Sequence, residues 1–90
     1  MPACEITIIN KLGLHARAAA KFVGVAGRFP CQVRLGRTPE SLVDGKSIMA
    51  VMMLAAGQGT RIHLSTSGEQ EDQALAAVIE LINNYFDEGG

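Results

Sequence analysis

The sequence predicts an α+β fold: a two-layer open-faced sandwich in the order β-α-β-β-α-β-α, with a mixed sheet layer and helices packed on one of its faces. Three observations carry this. Three short stretches alternate apolar and polar residues, as half-buried strands do, a fourth is short and β-compatible, two longer ones space their apolar residues at the helical period, and one more is apolar throughout behind a capping serine. Between them Gly and Pro fall singly or in short clusters, as turns do, and no repeat, low-complexity tract or linker divides the chain. With 90 residues, 48% of them hydrophobic, there is material for one small core, so residues 1–90 are expected to form a single domain.

Glu5-Ile6-Thr7-Ile8 alternates and reads as the first strand, with Ile9 adding β-branched propensity before the turn-like Asn10 to Gly13. From Ala16 the period changes. Ala19, Phe22, Val23 and Ala26 follow i, i+3, i+4, i+7 and place one apolar stripe on a helix that stops near Gly27. Cys31-Gln32-Val33-Arg34-Leu35 alternates again, and Ser41-Leu42-Val43 is short and β-compatible, so the two are expected to pair as a hairpin. Ser47 is placed to N-cap a helix over Ile48 to Ala56 that Gly57 ends. Thr60-Arg61-Ile62-His63-Leu64-Ser65 gives the fourth strand. In the last helix Ser67 and Gln70 form a capping box, acids fill the first turn, and Leu75, Val78, Ile79, Ile82 and Phe86 keep the stripe.

The net charge of −1 conceals a division along the chain. No Asp or Glu occurs between Ile6 and Pro39, while Lys11, Arg17, Lys21, Arg28, Arg34 and Arg37 supply six of the eight basic residues. From Ile62 onward the sign reverses, with Glu69, Glu71, Asp72, Glu80, Asp87 and Glu88 and no Lys or Arg. Such a basic region suits an anionic ligand or an acidic partner, although solvated charges give the same distribution without any function. Nucleic acid is a poor fit, because the charge balances overall and the chain has one Tyr, three Phe and no Trp. Cys4 and Cys31 lie far apart in no ligand spacing, so no disulfide framework, metal or cofactor is expected. The N-terminal residues show no basic stretch followed by an apolar one, and the longest apolar run, Ile48 to Ala56, is well short of the roughly 20 residues that span a bilayer. A cytoplasmic protein without membrane insertion is expected.

The chemically informative stretch is Asn10-Lys11-Leu12-Gly13-Leu14-His15-Ala16-Arg17, where a histidine ends a loop and begins a helix. The first N–H groups of a helix have no intrahelical partner and carry partial positive charge, so an anion held there is stabilised. Arg17 adds a planar fork of donors for phosphate oxygens, and Gly13 relaxes the backbone just ahead. An imidazole attacks phosphorus only when neutral, and the same positive surroundings disfavour imidazolium. Read from the residues alone, His15 is an anion-binding or nucleophilic histidine, or a capping or solvated one.

Lys11-Leu12-Gly13-Leu14-His15-Ala16-Arg17 followed by an alanine-rich helix resembles the active-site signature of the HPr-family phosphocarriers of the bacterial phosphotransferase system. A second block, Gly45-Lys46-Ser47-Ile48-Met49, falls where that family has its serine and docking helix, and the resemblance covers essentially the whole chain. It implies His15 as the phosphorylated residue, Arg17 as its partner, Enzyme I as donor and an enzyme IIA-type protein as acceptor. It also implies a four-stranded antiparallel sheet beneath three helices. Ala18 stands where sugar-branch members usually have proline, a mild change at a helix start. With the Gly68-Glu69-Gln70-Glu71-Asp72 start of the last helix, Ala18 makes the chain similar to the nitrogen-related branch, whose carrier is NPr. The sugar branch is the alternative, as is a regulatory interaction module whose binding phosphorylation alters.

Ile48 to Ala56 is apolar all round, whereas a short surface helix needs one apolar stripe. Ile48, Met49 and Met52 are therefore assigned to a docking patch and Val51 and Leu54 to the core, against the alternative that all nine residues are buried. Ser47 caps this helix in either case, and the resemblance marks it as a regulatory phosphorylation site in some members, where added charge would repel acidic partners. Gly45-Lys46-Ser47 is no phosphate-binding P-loop, because Glu40 stands where that motif needs its first glycine. His63 is expected on the sheet face opposite the core, and Glu69, Glu71 and Asp72 as charges at a helix start. A monomer is expected.

Overall fold

The computed structural model of the chain describes residues 2–87, so Glu88 of the acidic tail lies outside the described residues. Strands β1 (Ala3–Thr7), β2 (Gln32–Gly36), β3 (Val43–Asp44) and β4 (Arg61–Ser67) form one sheet in the order β1-β4-β2-β3, beneath helices α1 (Ala16–Ala26), α2 (Ile48–Met53) and α3 (Glu71–Asn83). Every pairing is antiparallel, in contrast to the mixed sheet that element order alone suggested. The reason is that β4 inserts between β1 and β2, which places those two parallel strands out of contact.

Strand alternation sorts the side chains. On β4, Ile62, Leu64 and Thr66 are buried beneath the helices, while Arg61 and His63 point to the other face, as expected for His63. Register places Ile6 of β1 opposite Ile62, and Leu35 of β2 opposite Leu64. Onto this row the helices lay Ala18, Ala19, Phe22 and Ala26 from α1, Val51 from α2 and Ala74, Val78 and Ile82 from α3. Fully burying a side chain such as Phe22 or Ile82 contributes about 1.5–3 kcal/mol. The hairpin forms at Arg34↔Asp44 and Leu35↔Val43, with its second strand only two residues long.

Three expectations need correction. The α2 helix ends at Met53, not Ala56, because Ala55 turns into the left-handed region at φ 51°. The capping box does not form. Ser67 is still in β4, Gln70 precedes α3 at φ 65° with no side-chain cap, and the Glu71 carboxylate instead accepts the Gly68 N–H at 2.9 Å. Phe86 is buried but not by a helical stripe. The chain leaves α3 after Asn83, and a left-handed turn over Tyr85–Asp87 folds Phe86 into the core, where Lys21 Nζ donates to its carbonyl at 2.8 Å.

Candidate functional site

The loop into α1 is built from a buried polar side chain and a glycine. Asn10 is fully buried, its Nδ2 donates to the Gly13 carbonyl at 2.8 Å, and the Gly13 N–H returns to the Asn10 carbonyl at 3.2 Å. Gly13 sits at φ 66°, and a Cβ there would stand 2.4 Å from the Ala56 carbonyl oxygen and 2.6 Å from Gly57 Cα. Only glycine fits this conformation and this approach together. The Leu14 N–H then donates to the same Ala56 carbonyl at 2.8 Å, and the Leu14 side chain is buried. The residue before His15 is thus pinned to the segment leaving α2.

His15 takes the N-cap position of α1 with φ −75° and ψ 178°, and its carbonyl accepts the first helical bond, from Ala19 N–H at 2.8 Å. Its imidazole does not cap the helix, and Nε2 is buried. No acid occupies the first turn of α1, and Arg17, the second helical residue, is exposed, as is Lys11. Ala18, by contrast, is fully buried against the core.

Ser47 caps α2 through Oγ, which accepts the Ala50 N–H at 3.3 Å. Ile48, Met49 and Met52 are 40%, 65% and 38% exposed and Val51 is fully buried, so the helix presents a surface instead of disappearing into the core. Leu54 is half-buried against the core cluster. Two further large apolar residues that periodicity did not mark are exposed: Met53, 79%, at the end of α2, and Leu12, 68%, in the loop before His15. Both were visible in the sequence as large apolar residues, but only the fold puts a loop and a helix terminus side by side.

Gly45 is glycine for packing, since a Cβ would stand 2.9 Å from the Val33 carbonyl and 3.0 Å from the Phe22 ring, and Lys46 Nζ donates to the Phe29 carbonyl at 2.6 Å. His63 Nε2 lies 3.4 Å from Glu5 Oε2, with Arg61 3.3 Å from the other carboxylate oxygen, on the sheet face away from the helices. Cys4 and Cys31 are free, and burial pushes the Cys4 thiol up from its ordinary value. A groove of about 400 Å³ along the open sheet face and one of about 220 Å³ between α1 and α3 have neither His15 nor Arg17 in their walls. Among the described residues no His, Cys, Asp and Glu side chains cluster as a metal site would require, and no helix is long and apolar enough to cross a membrane.

The geometry has counterparts among known proteins. The family described as PTS HPr component phosphorylation site matches residues 3–84. The phosphocarrier protein HPr of Pseudomonas aeruginosa is 83% identical over 89 residues, 99% of each chain. The phosphocarrier protein NPr of Escherichia coli is 40% identical over 83 residues, 92% of each chain. Among solved structures, HPr from Thermoanaerobacter tengcongensis superposes with a TM-score of 0.91 at 41% identity, covering 98% of both chains.

Proposed function

The chain belongs to the HPr family of phosphotransferase-system phosphocarriers, and from that premise we propose that it accepts a phosphoryl group from phospho-Enzyme I on His15 and yields it to an enzyme IIA-type protein. The observation that carries this reading is the start of α1: a histidine at the N-cap, an exposed arginine two residues on, and no acid in the first turn.

In the forward step a ring nitrogen of neutral His15 forms a bond to phosphorus as the bond from phosphorus to the donor breaks. Nε2 is buried, so Nδ1 is the nitrogen left to meet the donor. The phosphoryl oxygens then lie at the positive end of α1, where N–H groups and Arg17 neutralise them. The product is a phosphoramidate, and the group leaves when an acceptor nucleophile displaces His15 in the same way. Each transfer spreads charge over the equatorial oxygens, so fixed donors at this place lower the barrier for receipt and release alike. Leu12, Ile48, Met49, Met52 and Met53 supply apolar contact for both partners, and adaptable methionines suit two different surfaces.

We assign the carrier to the nitrogen-related branch. The support is Ala18, buried where sugar-branch members usually have proline, and the acidic Gly68–Asp72 segment.

One experiment tests both levels. The chain incubated with phosphoenolpyruvate and Enzyme I should gain acid-labile phosphate on Nδ1, lost in His15→Ala, kept in His63→Ala and slowed in Arg17→Ala. The phosphorylated chain should then pass its label faster to a nitrogen-type IIA protein than to a sugar-type one. No label would overturn the carrier reading, and the reverse preference would overturn the branch.

A further inference from the structure

Arg37, just beyond β2, reaches across to the end of α2. Its Nε donates to the Leu54 carbonyl at 2.9 Å and its Nη2 to the Ala55 carbonyl at 2.7 Å. The last carbonyls of a helix lack partners within it, and a guanidinium fork fits two neighbouring oxygens where an ammonium offers a single point of charge. The grip falls on a strained residue. Ala55 stands at φ 51° without being glycine, a conformation that persists only where its surroundings hold it. From this turn the chain drives Ala56 inward until it is 2% exposed, and the Ala56 carbonyl receives the Leu14 N–H at 2.8 Å and closes on Gly13. Leu14 is the residue before His15.

We infer that Arg37 is a positioning residue for phosphoryl transfer: by holding the left-handed turn at Ala55 it fixes the Ala56 carbonyl, and through Leu14 the place of His15. The docking helix and the reacting histidine then move as one piece, so a partner seated on Met49 and Met53 finds His15 already in register. Among the described residues, the hydrogen bonds of the Arg37 side chain go to these two backbone carbonyls, and its role is distinct from that of Arg17, which is placed to meet the phosphoryl group itself. This inference rests on the reading of His15 as the transfer residue.

The test uses the full chain as Arg37→Ala, Arg37→Lys and the double variant Arg37→Ala/Ala55→Gly. Hydrogen exchange of the Leu14 amide, followed by NMR against the Val78 amide in α3, reads the turn without any transfer. Both single variants should speed Leu14 exchange by about tenfold or more and leave Val78 unchanged. In transfer from phospho-Enzyme I both should lower kcat several-fold, with KM in Arg37→Lys close to that of the unsubstituted chain. Ala55→Gly should recover part of both losses, because glycine holds a positive φ without a clamp. Unchanged Leu14 exchange in Arg37→Ala would overturn the inference. So would a raised KM that lysine restores with kcat untouched, which would make Arg37 a docking cation. If the unsubstituted chain took no phosphoryl group, the carrier reading would fail, and Leu14 exchange would still decide whether Arg37 holds the turn.

Discussion

Helices α1 and α3 are of similar length, 11 and 13 residues, and begin in opposite ways. Each presents a positive end equivalent to roughly half an elementary charge. The chain complements that of α3 itself, with Glu71 and Asp72 in the first turn and the Glu71 carboxylate bonded back to Gly68. At α1 it does the reverse: the first turn has no acid and carries the cation Arg17. A cation at a helix N-terminus opposes the dipole by about 0.3–1 kcal/mol, a cost without return in the isolated fold. It makes sense where an anion arrives from outside. On the proposed reading, the helix start neutralised by its own chain is architecture, and the one left positive receives the phosphoryl group.

If α1 forgoes electrostatic capping, something else must hold its entry, and that is the contact of Gly13 with Ala56 and Gly57. The largest effect is therefore expected from Gly13→Ala, which adds a Cβ 2.4 Å from a carbonyl oxygen at φ 66°. Destabilisation of about 3 kcal/mol should follow, a drop in Tm of more than roughly 10 °C by thermal unfolding. A variant as stable as the parent would show that α1 is held some other way.

The difference between the helices can also be erased. Ala16 is exposed at the first position of α1, so Ala16→Glu gives that turn an acid like the one in α3. The unphosphorylated protein should gain about 0.3–1 kcal/mol in denaturant titration, while transfer slows by about tenfold or more because a carboxylate would occupy the field proposed for the phosphoryl group. Gaining stability at no cost in rate would mean that the open positive end plays no part in transfer.

What was legible in the sequence was what lies close along it. His15, Arg17 and the helix they open sit within a few residues, as do Ser47 and α2. What was not legible depends on segments far apart: the Ala56 carbonyl under Leu14, the Arg37 grip on Leu54 and Ala55, and β4 between β1 and β2. No local period records such contacts. Asn10 read as a turn residue, yet its burial makes it the brace of the His15 loop. The capping box failed for a related reason. Ser67 and Gln70 have the required spacing, but pairing of Ser67 with Gln32 claims Ser67 for the sheet.

The smallest effect sharpens the comparison from the α3 side. The Gly68 N–H holds the Glu71 carboxyl below its ordinary value of about 4.5. A carboxylate favoured in the folded state contributes stability that is fully present above its unfolded pKa and lost as the pH falls through the lowered folded one. The advantage of the parent over Glu71→Gln should therefore be present at neutral pH, shrink only below about pH 4.5, and vanish once both states are protonated. Denaturant titrations of both proteins across the acid limb would show it. Phosphoryl transfer at neutral pH should be the same in the two, because this carboxylate serves the start of α3 and not that of α1. A pH-independent difference would remove the carboxylate from the account of α3, and a changed transfer rate would mean that the two helix starts are not separate devices.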